Sequence, residues 1–320
     1  MSPHRRPVDV AELVEQARAG RPRAVARLIS MVEDRSPALR EVSAALTPLV
    51  GRAHVVGITG SPGVGKSTST SAIVTALRAQ GRRVGVLAVD PTSPFSGGAL
   101  LGDRVRMQEH ALDEGVYIRS MASRGHLGGL SATAPQALRV MDAAGCDVVL
   151  VETVGVGQSE VEIAGLADTT LVLLAPGMGD GIQAAKAGIL EIGDVFVVNK
   201  ADRDGAQSTR RELRSVVAMT GGDDAAWKPP ILLTTATSGE GVDEVVAAIA
   251  QHHDHLDRSG ELTRRRLARV RREIEALALA EVSQRFAHLS GDVRLDDLAA
   301  QVLAGDTDPF AAADSLVEHL

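Results

Sequence analysis

The sequence predicts an α/β protein: a doubly wound, mostly parallel sheet with helical extensions at its N- and C-terminal ends. Three observations predict it. Short apolar runs rich in Val, Leu and Ile recur between residues 54 and 250, continuous rather than alternating, as in strands covered on both faces. Helix-like spacing of apolar residues fills the intervals between them. A glycine-rich loop, Gly60-Ser61-Pro62-Gly63-Val64-Gly65, joins the first of these runs to the helix that follows it.

In chain order, residues 1–50 read as a helical extension. Val8, Leu13, Val14, Ala17, Val25, Leu28, Ile29 and Val32 recur at helical spacing, interrupted at Gly20-Arg21-Pro22, and Pro37 and Pro48 bracket a further helix over Leu39–Leu46. Residues 51–250 form the α/β domain. Its strands are expected at Val55–Thr59, Val84–Val89, Val116–Ser120, Val148–Glu152, Thr170–Leu174, Val195–Asn199 and Ile231–Thr235, and its helices at 68–80, 104–112, 133–144, 182–191, 208–219 and 242–251. Residues 251–320 read as a helical C-terminal extension. Leu262, Leu267, Val270, Ile274, Leu277, Val282 and Phe286 make an apolar stripe over 261–289, and an exposed stripe needs a partner, either the core or a second subunit. Shorter helices are expected over 295–303 and 310–319.

Composition narrows the function classes. Of 320 residues, 44% are hydrophobic and only 2% aromatic, so the core must be aliphatic. A net charge of −7 argues against general nucleic-acid affinity. The lone Cys146 fits a reducing, cytoplasmic compartment. No apolar run approaches the ~18 residues of a membrane span, and no apolar segment follows the basic Met1–Arg6 as in a secretory signal.

Gly60 to Ser67 fits Gly-x-x-x-x-Gly-Lys-Ser/Thr, the phosphate-binding P-loop, and its strand and helix flanks fit as well. The glycines let successive backbone N–H groups curl around phosphate oxygens, and the helix beginning near Thr68 turns its positive end toward them. Lys66 is placed to reach the β- and γ-phosphates and Ser67 to ligate Mg²⁺. Asn199-Lys200-Ala201-Asp202 closes another core strand and matches the Asn-Lys-x-Asp element that reads guanine. A carboxylate at Asp202 accepts from the N1–H and N2–H₂ donors that adenine lacks; Asn199 braces the loop and the Lys200 stem covers the base. Thr235-Ala236-Thr237 lies where such proteins carry Ser-Ala-x against the guanine O6; a polar strand end is the other reading.

Glu152-Thr153-Val154-Gly155 stands where most GTP-binding proteins have Asp-x-x-Gly, so Glu152 is expected near Mg²⁺, holding it through water, and the Gly155 N–H at the γ-phosphate; a plain salt bridge is the alternative for Glu152. Asp90 opens a Pro/Gly/Ser-rich loop and is placed near the metal. Asp103, beyond that loop, is either a second metal or water-positioning acid or the N-cap of the helix at Arg104. Val156 occupies the place of the water-positioning Gln, which predicts slow intrinsic hydrolysis that responds to a partner. His252-His253-Asp254-His255 reads as a solvated helix end rather than a metal site, and the arginine run at 264–272 as a solvated or interface face.

With these residues in place the sequence resembles the MeaB/ArgK family, GTPases that act as chaperones of adenosylcobalamin-dependent methylmalonyl-CoA mutase. The resemblance rests on Gly60–Ser67, Asp90–Arg104, Arg124–Ser131, Glu152–Glu160 and Asn199–Asp202, and covers the whole chain. It implies the P-loop G domain of the SIMIBI type, with Lys66, Asp103 and Glu152 catalytic and Ser67, Asp90, Asp103 and Glu152 around Mg²⁺. It implies GTP or GDP as the nucleotide, bound by Gly60–Thr68, Gly155, Asn199, Lys200, Asp202 and Thr235–Thr237. It also implies a switch over 177–186 in which Gln183 and Lys186 relay the nucleotide state to the mutase or a related acyl-CoA mutase, and a homodimer joined through the C-terminal helices. The cobalamin-binding pattern Asp-x-His-x-x-Gly is not met, because Arg124 stands in place of its Asp. A rival reading attached to similar sequences is a kinase acting on a periplasmic Lys/Arg/ornithine transport binding protein; a nickel-inserting GTPase is disfavoured by the lack of His/Cys clusters.

Overall fold

Seven parallel strands build one sheet in the order β3-β2-β4-β1-β5-β6-β7. They are β1 His54–Thr59, β2 Val84–Pro91, β3 Val116–Ser123, β4 Val148–Thr153, β5 Thr169–Leu174, β6 Val195–Asn199 and β7 Ile231–Thr234. The computed structural model describes residues 9–34, 36–91, 107–123, 133–153, 159–177, 190–220, 227–286 and 293–318. β1 lies between β4 and β5, with Ile58 paired to Glu152 and Thr59 to Val172. The chain therefore winds outward from β1 in both directions, and the carboxyl ends of β1, β2, β4, β6 and β7 lie on one edge, where α/β sheets bind ligands.

The period of two along each strand divides the core. Val55, Leu87, Val149 and Val151 face one layer with α1 Val10–Arg18, α2 Pro22–Glu33, α3 Leu39–Leu46, α5 Ala134–Ala143 and α6 Ser159–Leu166. Val56, Ile58, Val86 and Leu150 face the other, with α4 Lys66–Ala79 and α8 Val242–Arg258. α7 Ala206–Thr220 covers β6 and β7. Both faces are apolar, which is why the strands read as unbroken hydrophobic runs. The N-terminal helices are a packed layer of this unit. Asp9 caps α1 through the Glu12 N–H at 3.0 Å, and Pro22 opens α2 where its missing N–H costs nothing.

The chain divides into two compact units, Met1–Arg266 and Leu267–Leu320. The second holds the rest of α9 Glu261–Phe286, with α10 Val293–Ala304 and α11 Pro309–Glu318. Leu267, Ile274, Leu277 and Val282 on α9 are about half exposed.

Over 104–191 one expected helix differs and one helix appears that was not expected; the helix expected over 182–191 lies outside the described residues except for a turn at Leu190–Ile192. Within 107–123 the expected helix is only a 3₁₀ turn, Gln108–His110, held by His110 Nε2 at 3.0 Å from the Ser71 hydroxyl. Helix α6 was not foreseen because its apolar residues are spread around its circumference, leaving no stripe to detect.

A buried polar network ties the amino ends of the strands together. Arg266 clasps the fully buried Asp168 carboxylate at 2.9 Å and also donates to the carbonyls of Gly51 and Ala53. Arg265 takes both oxygens of Asp194, each at 3.0 Å. These two arginines of the basic run are thus internal ties rather than a solvated face. Thr169 Oγ1 lies 2.8 Å from His54 Nε2 and 2.8 Å from His252 Nδ1, donating to one ring and accepting from the other. The Trp227 indole N–H donates to the Asp194 carbonyl at 2.7 Å and its ring packs on His252. His252 is fully buried, so the solvated helix end expected at 252–255 is corrected: α8 continues to Arg258 and turns His252 into the core.

Burial, reinforced by His253, pushes His54 down to about 3; burial also pushes His252 down to about 4, against the attraction of Asp194. Both rings are therefore neutral in the folded protein while the unfolded chain protonates them near 6.5. Their contribution is full above that value and is lost as pH falls toward 4, by up to about 1.4 kcal/mol per pH unit for each ring. The melting temperature should decline steadily from pH 7 to pH 5. His252→Gln should flatten that slope, and an unchanged slope would exclude the ring as its source.

Candidate active site

The P-loop closes over α4 in a conformation that only glycine permits at two positions. Gly60 has φ 139°, and a Cβ there would stand 2.2 Å from the Leu173 carbonyl oxygen. Gly65 precedes α4 at φ 96°, and a Cβ there would stand 2.5 Å from Asn199 Nδ2. Val64 between them is buried, whereas Pro62 and Gly63 form an exposed crest. Lys66 is buried at the first position of α4, its ammonium donating to the carbonyls of Gly60 at 2.7 Å and Ser61 at 3.2 Å. The charge is thus held directly beneath the loop whose N–H groups would meet phosphate.

Glu152 reaches the same place from β4, the strand beside β1. Ser67 Oγ donates to Glu152 Oε1 at 2.6 Å, and Thr70 Oγ1, one turn further along α4, stands 3.2 Å from Glu152 Oε2. All three side chains are buried. Sequence reasoning did not single out Thr70; the available signal was its place three residues after Ser67, on the same face of the helix.

Asn199 joins the second half of the site to the first. Its Nδ2 donates to the Val64 carbonyl at 2.9 Å, while its Oδ1 accepts from the Ala236 N–H at 3.1 Å and the Thr234 hydroxyl at 3.2 Å. One buried amide thereby fixes the P-loop, the end of β6 and the turn after β7 to each other. Lys200 is the one described non-glycine residue with positive φ, at 58°, and its ammonium donates to the Gly63 carbonyl at 2.6 Å. That strained conformation is held by contacts on both sides, as at many binding loops. Asp202 follows on an exposed turn; Thr235 and Ala236 are buried and Thr237 is exposed. The structure therefore brings together Gly60–Thr68, Glu152, Asn199, Lys200, Asp202 and Thr235–Thr237 at one edge of the sheet.

Asp90 is the last residue but one of β2, in register with Ala122, and its side chain lies outside the described residues. Asp103, Gly155, Gln183 and Lys186 lie outside them too. Among the described residues no group of three or more His, Cys, Asp or Glu is placed to hold a metal, and no helix is long and apolar enough to cross a membrane. Burial pushes the Cys146 thiol up to about 12, so it is no nucleophile.

The family described as methylmalonyl Co-A mutase-associated GTPase MeaB matches residues 25–290. The chain belongs to the MeaB family. A relative from Pyrococcus horikoshii, named as a GTPase, is 47% identical over 98% of both chains. The GTPase ArgK of Escherichia coli is 36% identical over 92% of this chain and 90% of its own. A solved structure described as a LAO/AO transport system kinase superposes with a TM-score of 0.72 at 29% identity, covering 97% of each chain. This MeaB-family protein is thus a P-loop GTPase, binding and hydrolysing GTP, of a family associated by name with methylmalonyl-CoA mutase.

Proposed function

We propose that the chain is a GTP-driven chaperone that gates adenosylcobalamin loading into methylmalonyl-CoA mutase, or a related acyl-CoA mutase, and protects the loaded enzyme. The observation that carries the nucleotide half is the Asn199 amide, bonded at once to the P-loop at Val64 and to the turn at Ala236. It makes the phosphate cradle and the base-reading turn one rigid piece, so a guanine held at Asp202 sets where the γ-phosphate falls. The family name supports the mutase half.

Ser67 and Glu152 offer hard oxygen donors 2.6 Å apart and fit Mg²⁺, with Asp90 and Asp103 completing the acidic set. Bound there with the nucleotide, Mg²⁺ supplies charge neutralisation at the β- and γ-phosphates. Lys66 leaves its loop carbonyls to meet the same oxygens, and the P-loop N–H groups hold the rest. Asp103 is assigned either to the metal or to the attacking water, which adds to the γ-phosphorus as the bond to the β-phosphate oxygen breaks and gives its proton to the released phosphate or to solvent, leaving GDP and phosphate. Gln183 and Lys186 are assigned the contact that carries the outcome to the mutase. A homodimer through α9 would cover Leu267, Ile274 and Leu277, and the organisation is read as a GTPase domain over 51–250 between helical segments 1–50 and 251–320. We assign the chain to the cytoplasm, the reducing compartment that the lone Cys146 fits.

The solved relative described as a kinase favours a second reading, transfer of the γ-phosphate to a transport binding protein. Incubation with γ-labelled GTP decides between them. The chaperone reading expects label in free phosphate, released faster when the mutase is added. Label in a binding protein would favour the kinase.

A further inference from the structure

Helix α4 carries three buried hydroxyls on the side that faces β4 and the 3₁₀ turn at 108–110: Ser67, Thr70 and Ser71. Ser67 is accounted for by the P-loop pattern. Thr70 is not, yet it is completely buried and its hydroxyl stands 3.2 Å from Glu152 Oε2, while Ser67 holds Oε1 at 2.6 Å. Each oxygen of the carboxylate thus has its own hydroxyl from consecutive turns of one helix. One hydrogen bond fixes a point on a carboxylate and leaves its plane free to turn. Two fix the plane, and with it the direction of the remaining lone pairs.

The arrangement also rationalises a glutamate at a strand end where an aspartate is usual. The extra methylene carries the carboxyl group far enough along α4 to meet both hydroxyls. From this geometry we infer that Thr70 is a positioning residue: it orients the Glu152 carboxylate for the water shell of Mg²⁺, and sets the affinity for the metal without touching metal or nucleotide. The inference rests on the reading of Ser67 and Glu152 as the Mg²⁺ side of the site.

The competing role for this hydroxyl is local. Thr70 Oγ1 also lies 2.9 Å from the Lys66 carbonyl, the bond to residue i−4 that a helical threonine commonly makes, so its one proton is shared between that carbonyl and Glu152 Oε2. The same helix provides a comparator. Thr75 Oγ1 makes that bond to the Ser71 carbonyl at 3.1 Å, with no carboxylate bonded to it among the described residues. Thr75→Val removes the backbone bond alone; Thr70→Val removes the backbone bond and the Glu152 contact, at nearly constant volume.

The test is the Mg²⁺ concentration that half-maximally slows release of a fluorescent GDP analogue, a readout that needs no hydrolysis, measured beside the Mg²⁺ dependence of GTP turnover. Thr70→Val should raise both midpoints about 10-fold, as loss of an outer hydrogen bond to a metal-binding group does. Thr70→Ser should restore them to within about 2-fold, and Thr75→Val should leave them at the wild-type value. Melting curves confirm that each variant is folded; should Thr70→Val not fold, the alanine variant at the same position takes its place. A wild-type midpoint in folded Thr70→Val, or an equal shift in Thr75→Val, overturns the inference while leaving the Mg²⁺ site standing. Wild-type GDP release that ignores Mg²⁺ altogether removes the metal reading and the role of Thr70 with it.

Discussion

Lys66→Ala should lower GTP hydrolysis by on the order of 10³-fold while the protein stays folded. The ammonium is buried under the loop and reaches the Gly60 and Ser61 carbonyls, so it sits at the floor of the proposed phosphate cradle. Charge builds on the phosphate oxygens as the β–γ bond breaks, and a fixed cation in a water-poor pocket stabilises it far more than a solvated one. Alanine leaves the loop carbonyls to water and removes that charge altogether. Lys66→Arg should not rescue the loss, because a planar guanidinium does not fit the space of a compact ammonium beneath the loop. Single-turnover hydrolysis under saturating GTP is the measurement. Turnover within a few-fold of wild type in Lys66→Ala would sink the assignment.

The second large effect is on base selection. Asp202→Asn should reduce the preference for GTP over ATP by about 10²-fold, with little change in the rate once GTP is bound. In the proposed role the aspartate would accept from two donors of guanine; an asparagine offers one acceptor and one donor pair, so a guanine donor would then face an NH₂. The same arithmetic predicts a gain for xanthosine triphosphate, whose C2 carbonyl accepts from that NH₂. Asn199 is the poorer residue to test, because its amide bonds Val64, Thr234 and Ala236 and its loss would disturb the whole edge of the site. Competition between the three nucleotides for the purified protein measures the effect, and selectivity that survives the substitution would place the base elsewhere.

What could be read in the sequence follows from how local each signal is. All seven strands were visible as short aliphatic runs because both faces of the sheet are covered. The P-loop and the Asn199–Asp202 turn were visible because each is built from contiguous residues that match a short motif. Their union was only an expectation, since it depends on a bond from Asn199 to Val64, far apart in the chain. The same limit explains Thr70. Its neighbour on α4, Ser67, belongs to the motif, but one of its two acceptors, Glu152, lies on β4. His252 looked solvated because three polar residues follow it, yet α8 runs on and aims it at Thr169. Arg265 and Arg266 looked like part of a charged surface because nothing near them in sequence reveals that Asp168 and Asp194 wait at the starts of β5 and β6. Polar ties between distant strand ends carry no periodicity and no motif, so they appear only once the sheet is assembled.

The proposed coupling between nucleotide and mutase is tested most directly by calorimetric titration of the purified chain into methylmalonyl-CoA mutase. It is done once with GDP and once with a non-hydrolysable GTP analogue, each with Mg²⁺. A GTPase that gates cofactor loading must bind its target differently in the two states, by at least about 1 kcal/mol, since a ligand shifts a partner only by its differential affinity. An affinity that changes several-fold or more between the two nucleotides is expected. Equal affinity in both, or no binding in either, would contradict the proposal.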